Sequence, residues 1–307
     1  MKKIKYQGGA TKLIATQIAK KNKVRFIKYI QTHFESLIKQ CGNSATTLNM
    51  EVVSFSSTYD FSEQVLSILS FIRYVGIPNK WVLFSDGTYV LEQEKLLLDH
   101  LPFLKIEKLN WENMSCLPKD TKPELVPYET YFLDYAKQKP LGKRLFYYLN
   151  YQVERPALFI DSDILFYKQA CTIFQAIGDT ATGWYLPDFD WGCLDSRYKE
   201  QHQKQMYQVN GGFFLFNQNI SDYSDGLDFF KSLDYKYEYF SDQNLFHILF
   251  RSNHFMPFDP RIFWLNNSDQ FDFGYNKKPE EMAIRHYTGP VRHKMWQRNW
   301  KWHLSLK

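Results

Sequence analysis

The chain has 307 residues, 44% apolar and 18% aromatic, with 38 basic against 33 acidic side chains and a formal net charge of +5. That length builds one large or two small domains around a substantial core, and so mild a charge excludes a dedicated nucleic-acid binder. No apolar run approaches the ~18 residues of a spanning helix, and no secretory h-region follows the basic start. Cys41, Cys116, Cys171 and Cys193 show neither zinc nor disulfide spacing. The expectation is a cytoplasmic protein, in contact with the inner face of a membrane only through its surface.

Residues 1–10 are expected to be disordered. From Thr11 to about Gln40 the apolar positions Ile14, Ile18, Ile27, Ile30, Phe34, Leu37 and Ile38 recur mostly at helical steps, and Gly42 is a natural stop. Nine Lys or Arg lie between Lys2 and Lys28 with no acid before Glu35. Such a basic helix either docks on the body with its charges in water or lies on an anionic membrane. Residues 1–46 are read as a basic helical extension and residues 47–307 as the main domain.

Within that domain Met50–Phe55 reads as a strand and Phe61–Tyr74 as a helix with one apolar face. Trp81–Phe84 is a second strand, and Glu92–Leu101 another helix. Strands alternating with helices at this spacing indicate an α/β sheet with parallel pairs, whose ligands bind beyond the carboxyl ends of the strands. The Ser54–Tyr59 segment and Asp86 fall at such ends. A Pro-rich loop (117–127) and a helix over Tyr128–Lys137 follow. Lys143, Arg144 and an aromatic run then lead into the segment Pro156–Phe166.

That segment, Pro156-Ala-Leu-Phe-Ile-Asp161-Ser162-Asp163-Ile-Leu-Phe166, is the most telling of the chain. Its apolar half reads as a buried central strand. Two carboxylates at the end of such a strand repel and need a cation or a set of donors between them. A divalent ion with oxygen ligands answers that need; a strand cap answers it less specifically. Three further elements follow. Asn210-Gly211-Gly212 enters a strand through a backbone open to close approach. Asp242-Gln243 begins an apolar helix, where an N-cap is a sufficient reading. His286 precedes Gly289 and Arg292 at three-residue steps.

In order and spacing, these four elements resemble glycosyltransferase family 8, the group that includes glycogenin and bacterial lipopolysaccharide galactosyltransferases. The resemblance is good over residues 150–296, loose over 47–149, and does not cover 1–46. It implies an α/β GT-A fold: a single Rossmann-like nucleotide-diphospho-sugar transferase domain with a mixed, mostly parallel sheet, here preceded by the N-terminal helix. It further implies a hexosyltransferase acting with retention on a nucleoside diphosphate sugar donor, UDP-sugar by extrapolation. Asp161, Asp163 and His286 would hold Mn²⁺ or Mg²⁺ against the diphosphate. Gly289 and Arg292 would meet the phosphates, Arg292 standing where the family usually places Lys. Ser162, Asn210, Gly211 and Gly212 would border the donor, with Lys143 or Arg144 on its sugar or phosphate. Asp242 and Gln243 would lie under the anomeric carbon. At the amino end the family's Asp and Asn are missing, which leaves Tyr59 to stack on the base and Ser54 or Asp86 to accept its hydrogen bonds.

The acceptor, a glycan, a lipid-linked sugar or a protein, is not specified by the sequence. Asp188, Asp190 and Trp191 are candidates for its side of the site. The tail residues Trp296, Trp300 and Trp302, with Lys294, Arg298, Lys301 and Lys307, read either as interfacial membrane anchors or as a cover over the donor. Two other classes compete. One is a catalytically inactive sugar- or surface-binding protein of the same fold. The other is a haloacid-dehalogenase-type phosphatase, which expects Thr or Val where Leu165 stands and its carboxylate pair near the start of the chain.

Overall fold

The computed structural model describes residues 5–42, 45–178, 180–188, 194–198 and 207–306. In chain order the helices are α1 (Lys5–Gly42), α2 (Phe61–Tyr74), α3 (Leu91–His100), α4 (Glu129–Gln138), α5 (Pro140–Asn150), α6 (Ser224–Ser232), α7 (Ser241–Ser252), α8 (Arg292–Gln297) and α9 (Trp300–His303). The strands are β1 (Thr47–Ser56), β2 (Ile77–Ser85), β3 (Leu104–Glu107), β4 (Ala157–Asp161), β5 (Ile164–Phe166), β6 (Gly183–Asp188), β7 (Gln208–Phe216), β8 (Met256–Pro257), β9 (Phe263–Trp264) and β10 (Ile284–His286). A seven-stranded sheet runs β3-β2-β1-β4-β7-β6-β8, and a three-stranded sheet runs β5-β10-β9.

The large sheet is parallel from β3 to β4 and turns antiparallel at β7, so β4 and β7 meet head to tail with Ile160 opposite Phe213. Both faces of β4 are covered, which is why Ala157 to Ile160 are all buried. One core lies between the sheet and the layer of α1, α2 and the chain's last helices; the other lies under α4 to α7. Helix α2 is buried around most of its circumference, polar Ser62, Glu63, Gln64, Ser67 and Ser70 included, because it is sandwiched between the sheet and α1.

Several expectations are corrected here. Residues 5–10 are helical, not disordered, because α1 begins at Lys5. The basic, aromatic stretch before β4 is not a lead-in but the helix α5. Its interior Gly142 lets the α4 backbone pass, since a Cβ there would run into the Tyr135 carbonyl. Within α1, Ile14 and Ile18 point outward; the buried stripe is Ala15, Ala19, Phe26, Ile30, Phe34 and Leu37. The segment expected as an extension thus shares the main core, with Phe26 against both Trp296 and Trp300 (ring centroids 5.2 and 5.4 Å). Those two indoles are buried, so they cannot be interfacial anchors, and buried Lys294 donates to the carbonyls of Asp272 and Gly274. No helix among the described residues is long and apolar enough to cross a membrane.

Candidate active site

The carboxylate pair straddles the point where the chain changes sheets. Asp161 is the last residue of β4, Ser162 and Asp163 form a turn, and Ile164 starts β5 in the other sheet. The pair is therefore brought together by a turn, not by continued extension. β10 runs antiparallel to β5 with His286 opposite Ile164, and the Tyr287 amide donates to the Asp163 carbonyl at 2.9 Å. One ligand atom from each of Asp161, Asp163 and His286 falls within a 4.8 Å cluster.

The side chains around the triad fix its chemistry. The Gly212 amide donates to Asn210 Oδ1 (3.0 Å), which orients that amide oxygen inward. His286 Nδ1 lies 3.0 Å from the same oxygen and so must donate to it. Nε2 then faces the carboxylates, 3.1 Å from Asp163 Oδ1 and 3.9 Å from Asp161 Oδ2. Asp163 Oδ1 is buried, and no donor is aligned on it. Buried acceptors converging in this way demand a cation, either a proton on Nε2 or a metal ion. Burial lowers the affinity of His286 for a proton, but the charges of Asp163 and Asp161 outweigh it and its pKa is raised. Burial likewise raises Asp163, and the charges of His286 and Arg292 overcome it to hold the carboxyl well below its usual range.

Gly212 lets the triad pack directly against the β7 backbone. A Cβ there would stand 2.5 Å from both Asp161 Oδ2 and His286 Cε1, so any larger residue would displace the triad. The buried Asp163 oxygen without an aligned donor and the mixed oxygen–imidazole donor set fit a divalent cation.

Two arginines hold the carboxylates from outside. Arg144, buried on α5, grips Asp161 with Nη1 (2.7 and 2.9 Å) and Asp242 with Nη2. Burial raises the Asp242 carboxyl above its ordinary value despite that arginine. Gln243 Oε1 accepts from the Gly211 amide (3.1 Å), so the start of α7 is stitched to β7. Arg292 bridges Asp163 (2.6 Å) and Asp60 (2.5 Å) and is thus engaged by carboxylates in this structure. Asp60 is a partner the sequence reading missed. It lies four residues beyond the end of β1, where a carboxylate near a ligand edge was the available clue.

Ser162 is buried between the aspartates, and Gly289 has open space around it. At the β1 and β2 ends, Tyr59 is 83% exposed on the turn after β1. Asp86 accepts from the Thr88 amide and hydroxyl, and Lys143 Nζ donates to the Asp86 carbonyl at 2.9 Å. Ser54 is corrected. β1 continues through Ser56, and the Ser54 hydroxyl is buried beneath α2, accepting from Trp81 Nε1 (2.8 Å), where no base can reach it. Asp188 lies 3.4 Å from Asn210 Nδ2 and extends the chain of partners behind His286. Asp190 and Trp191 lie outside the described residues.

No protein-family model matches the sequence, and no curated protein matches it. Solved structures do, and the fold they share with this chain is that of the GT-A glycosyltransferases. The chain is similar to the galactosyltransferase LgtC, solved in complex with donor and acceptor sugar analogs. Identity is 15% and the TM-score 0.54, over 84% of this chain and 96% of that one. The glycosyltransferase GlyE of Streptococcus pneumoniae TIGR4 also matches, at 14% identity and a TM-score of 0.47 over 83% of this chain and 63% of that one.

Proposed function

We propose that this protein is a metal-dependent glycosyltransferase that moves a hexose from a nucleoside diphosphate sugar, UDP-sugar in the first instance, to a hydroxyl acceptor with retention. One observation carries the reading. Asp161, Asp163 and His286, from the ends of β4, the following turn and β10, converge around a buried carboxylate oxygen with no aligned donor, packed against the bare backbone of Gly212. The GT-A fold, and the likeness to a galactosyltransferase bound to donor and acceptor analogs, support the substrate class. A bound Mn²⁺ or Mg²⁺ would act as a Lewis acid, offsetting charge on the departing diphosphate.

The chain's own residues do the rest. Asn210 fixes the His286 ring so that Nε2 faces inward. Arg144 ties Asp161 and Asp242 to one guanidinium and keeps the second carboxylate beside the donor-sugar position. Arg292, now on Asp163 and Asp60, is within reach of any diphosphate brought to the triad and would exchange a carboxylate for it. Gln243 and Gly211 line the sugar side, and Tyr59 stacks on the base. Scattered cysteines without disulfide spacing suit a cytoplasmic setting.

Titration calorimetry with uridine diphosphate and Mn²⁺ tests the proposal. The wild-type chain is expected to bind the nucleotide only with the metal, and Asp163→Ala to remove that metal-dependent binding while circular dichroism stays native. Unchanged affinity in the variant would sink the metal assignment. A screen of nucleotide sugars for thermal stabilisation with Mn²⁺ then names base and sugar, because a ligand of the native state raises its melting point. A β-linked product from an α-linked donor would remove retention from the reading while leaving the fold in place.

A further inference from the structure

Helix α1 buries one stripe and leaves the opposite arc bare. At about 100° per residue, Leu13, Val24, Gln17, Lys28, Lys21, Ile14, Arg25 and Ile18 fall side by side on one arc of roughly 140°. All eight are exposed. Leu13, Ile14 and Val24 are 68%, 53% and 52% exposed, an unusual cost for large aliphatics on a helix whose other face is fully used. Lys20 borders the same arc. None of Lys20, Lys21, Arg25 or Lys28 makes an ion pair with a described residue, and the first acid of the helix is Glu35. Beside the same end of α1 the exposed Phe271 ring lies against Gly8, with Lys12 Nζ 5.3 Å from its centroid.

Scattered surface aliphatics need no explanation. Aliphatics interleaved with unpaired cations, and with no acid among them, have one complement: a surface that is both apolar and negatively charged. We propose that this arc of α1 docks on an anionic lipid bilayer. The helix lies in the interface plane, with Leu13, Ile14, Ile18 and Val24 among the acyl boundaries and the Lys and Arg stems reaching to the headgroups. The body on the far side of α1 keeps the helix folded beforehand, so docking costs no helix formation. This assignment stands on the helix surface alone and is independent of the catalytic reading.

The test is co-sedimentation of the full chain, without donor or metal, with vesicles of phosphatidylcholine alone and of phosphatidylcholine mixed with phosphatidylglycerol. Binding is expected only to the mixed vesicles and is weakened by high salt. Charge reversal at Lys20→Glu, Lys21→Glu and Lys28→Glu lowers partitioning on the order of a hundredfold, since each cation near an anionic surface contributes about a factor of five. Leu13→Asn with Ile14→Asn lowers it several-fold, and neither variant moves the melting temperature. Equal partitioning to both vesicle types, no binding, or undiminished binding of the charge-reversed chain overturns the proposal. So does a wild-type dimer on gel filtration that Leu13→Asn with Ile14→Asn disperses, since a second copy would then be what covers the face.

Discussion

At the carboxylate corner of the site every functional side chain is already held: Asp161 by Arg144, Asp163 by Arg292, His286 by Asn210 and Gln243 by the Gly211 amide. At the ends of β1 and β2 the candidates are held loosely or not toward the site at all. Tyr59 stands in solvent, and Asp86 spends its carboxylate on its own turn. Charge explains the contrast. Buried carboxylates are too costly to leave unpartnered, so the fold must preorganise them before any ligand arrives. A base that binds by stacking asks only for an exposed ring, which can order itself on contact.

That comparison predicts graded consequences. Arg144→Ala is the severest, because Asp161 and Asp242 lose their common cation in a buried setting; thermal or urea unfolding should show a loss of about 3–5 kcal/mol. Gly212→Ala should cost about 1–3 kcal/mol by overpacking. Its more specific result is loss of metal-dependent nucleotide binding in calorimetry, and retention of that binding would show that the triad does not need its close packing on Gly212.

Tyr59→Ala should leave stability within about 0.5 kcal/mol of wild type, as exposed positions do. It should nevertheless weaken uridine diphosphate by roughly tenfold, a typical price of one lost base stack. An unfolding effect instead would mean that the soft end is structural.

The smallest effect concerns Asp195, which accepts from Arg197 and from Ser241 at the start of α7. Burial raises its carboxyl, but those bonds outweigh burial and hold it below the usual value. The stabilisation is therefore present above the ordinary carboxylate range and fades as pH falls through the lowered value. Asp195→Asn should cost about 1 kcal/mol at neutral pH. That gap should close in acid, as read from urea midpoints at the two ends of the range.

Sequence reading succeeded where the determinant is local. The α2 boundaries, Phe61 to Tyr74, follow from apolar periodicity and match the structure, as does the buried strand before Asp161. It failed where the determinant lies elsewhere in the chain. Periodicity shows that α1 has apolar stripes but not which of them faces Trp296 and Trp300, so Ile14 and Ile18, which point outward, were grouped with the buried Ile30, Phe34 and Leu37. Ser54 was read as accessible because it was placed at the strand's end; β1 runs on through Ser56 and leaves it deep under α2. Arg144 was singled out, but its helix was not, since Gly142 reads as a breaker unless the closeness of α4 is known. Asp60 carried no motif, only its place just beyond the end of β1, and its bond to Arg292 is what identifies it.

The clasp between α1 and the chain's last helices also bears on how the protein is made. Asn22 Nδ2 donates to the Trp296 carbonyl across 274 residues of sequence, beside Phe26 and its two indole neighbours. Helix α1 therefore leaves the ribosome long before the residues that bury it exist. Until α8 is synthesised, Phe26, Ile30 and their neighbours stay uncovered on one side, and closing so long a loop is intrinsically slow. Nascent chains stalled before residue 292 should expose this stripe to chaperones, whereas complete chains should hide it.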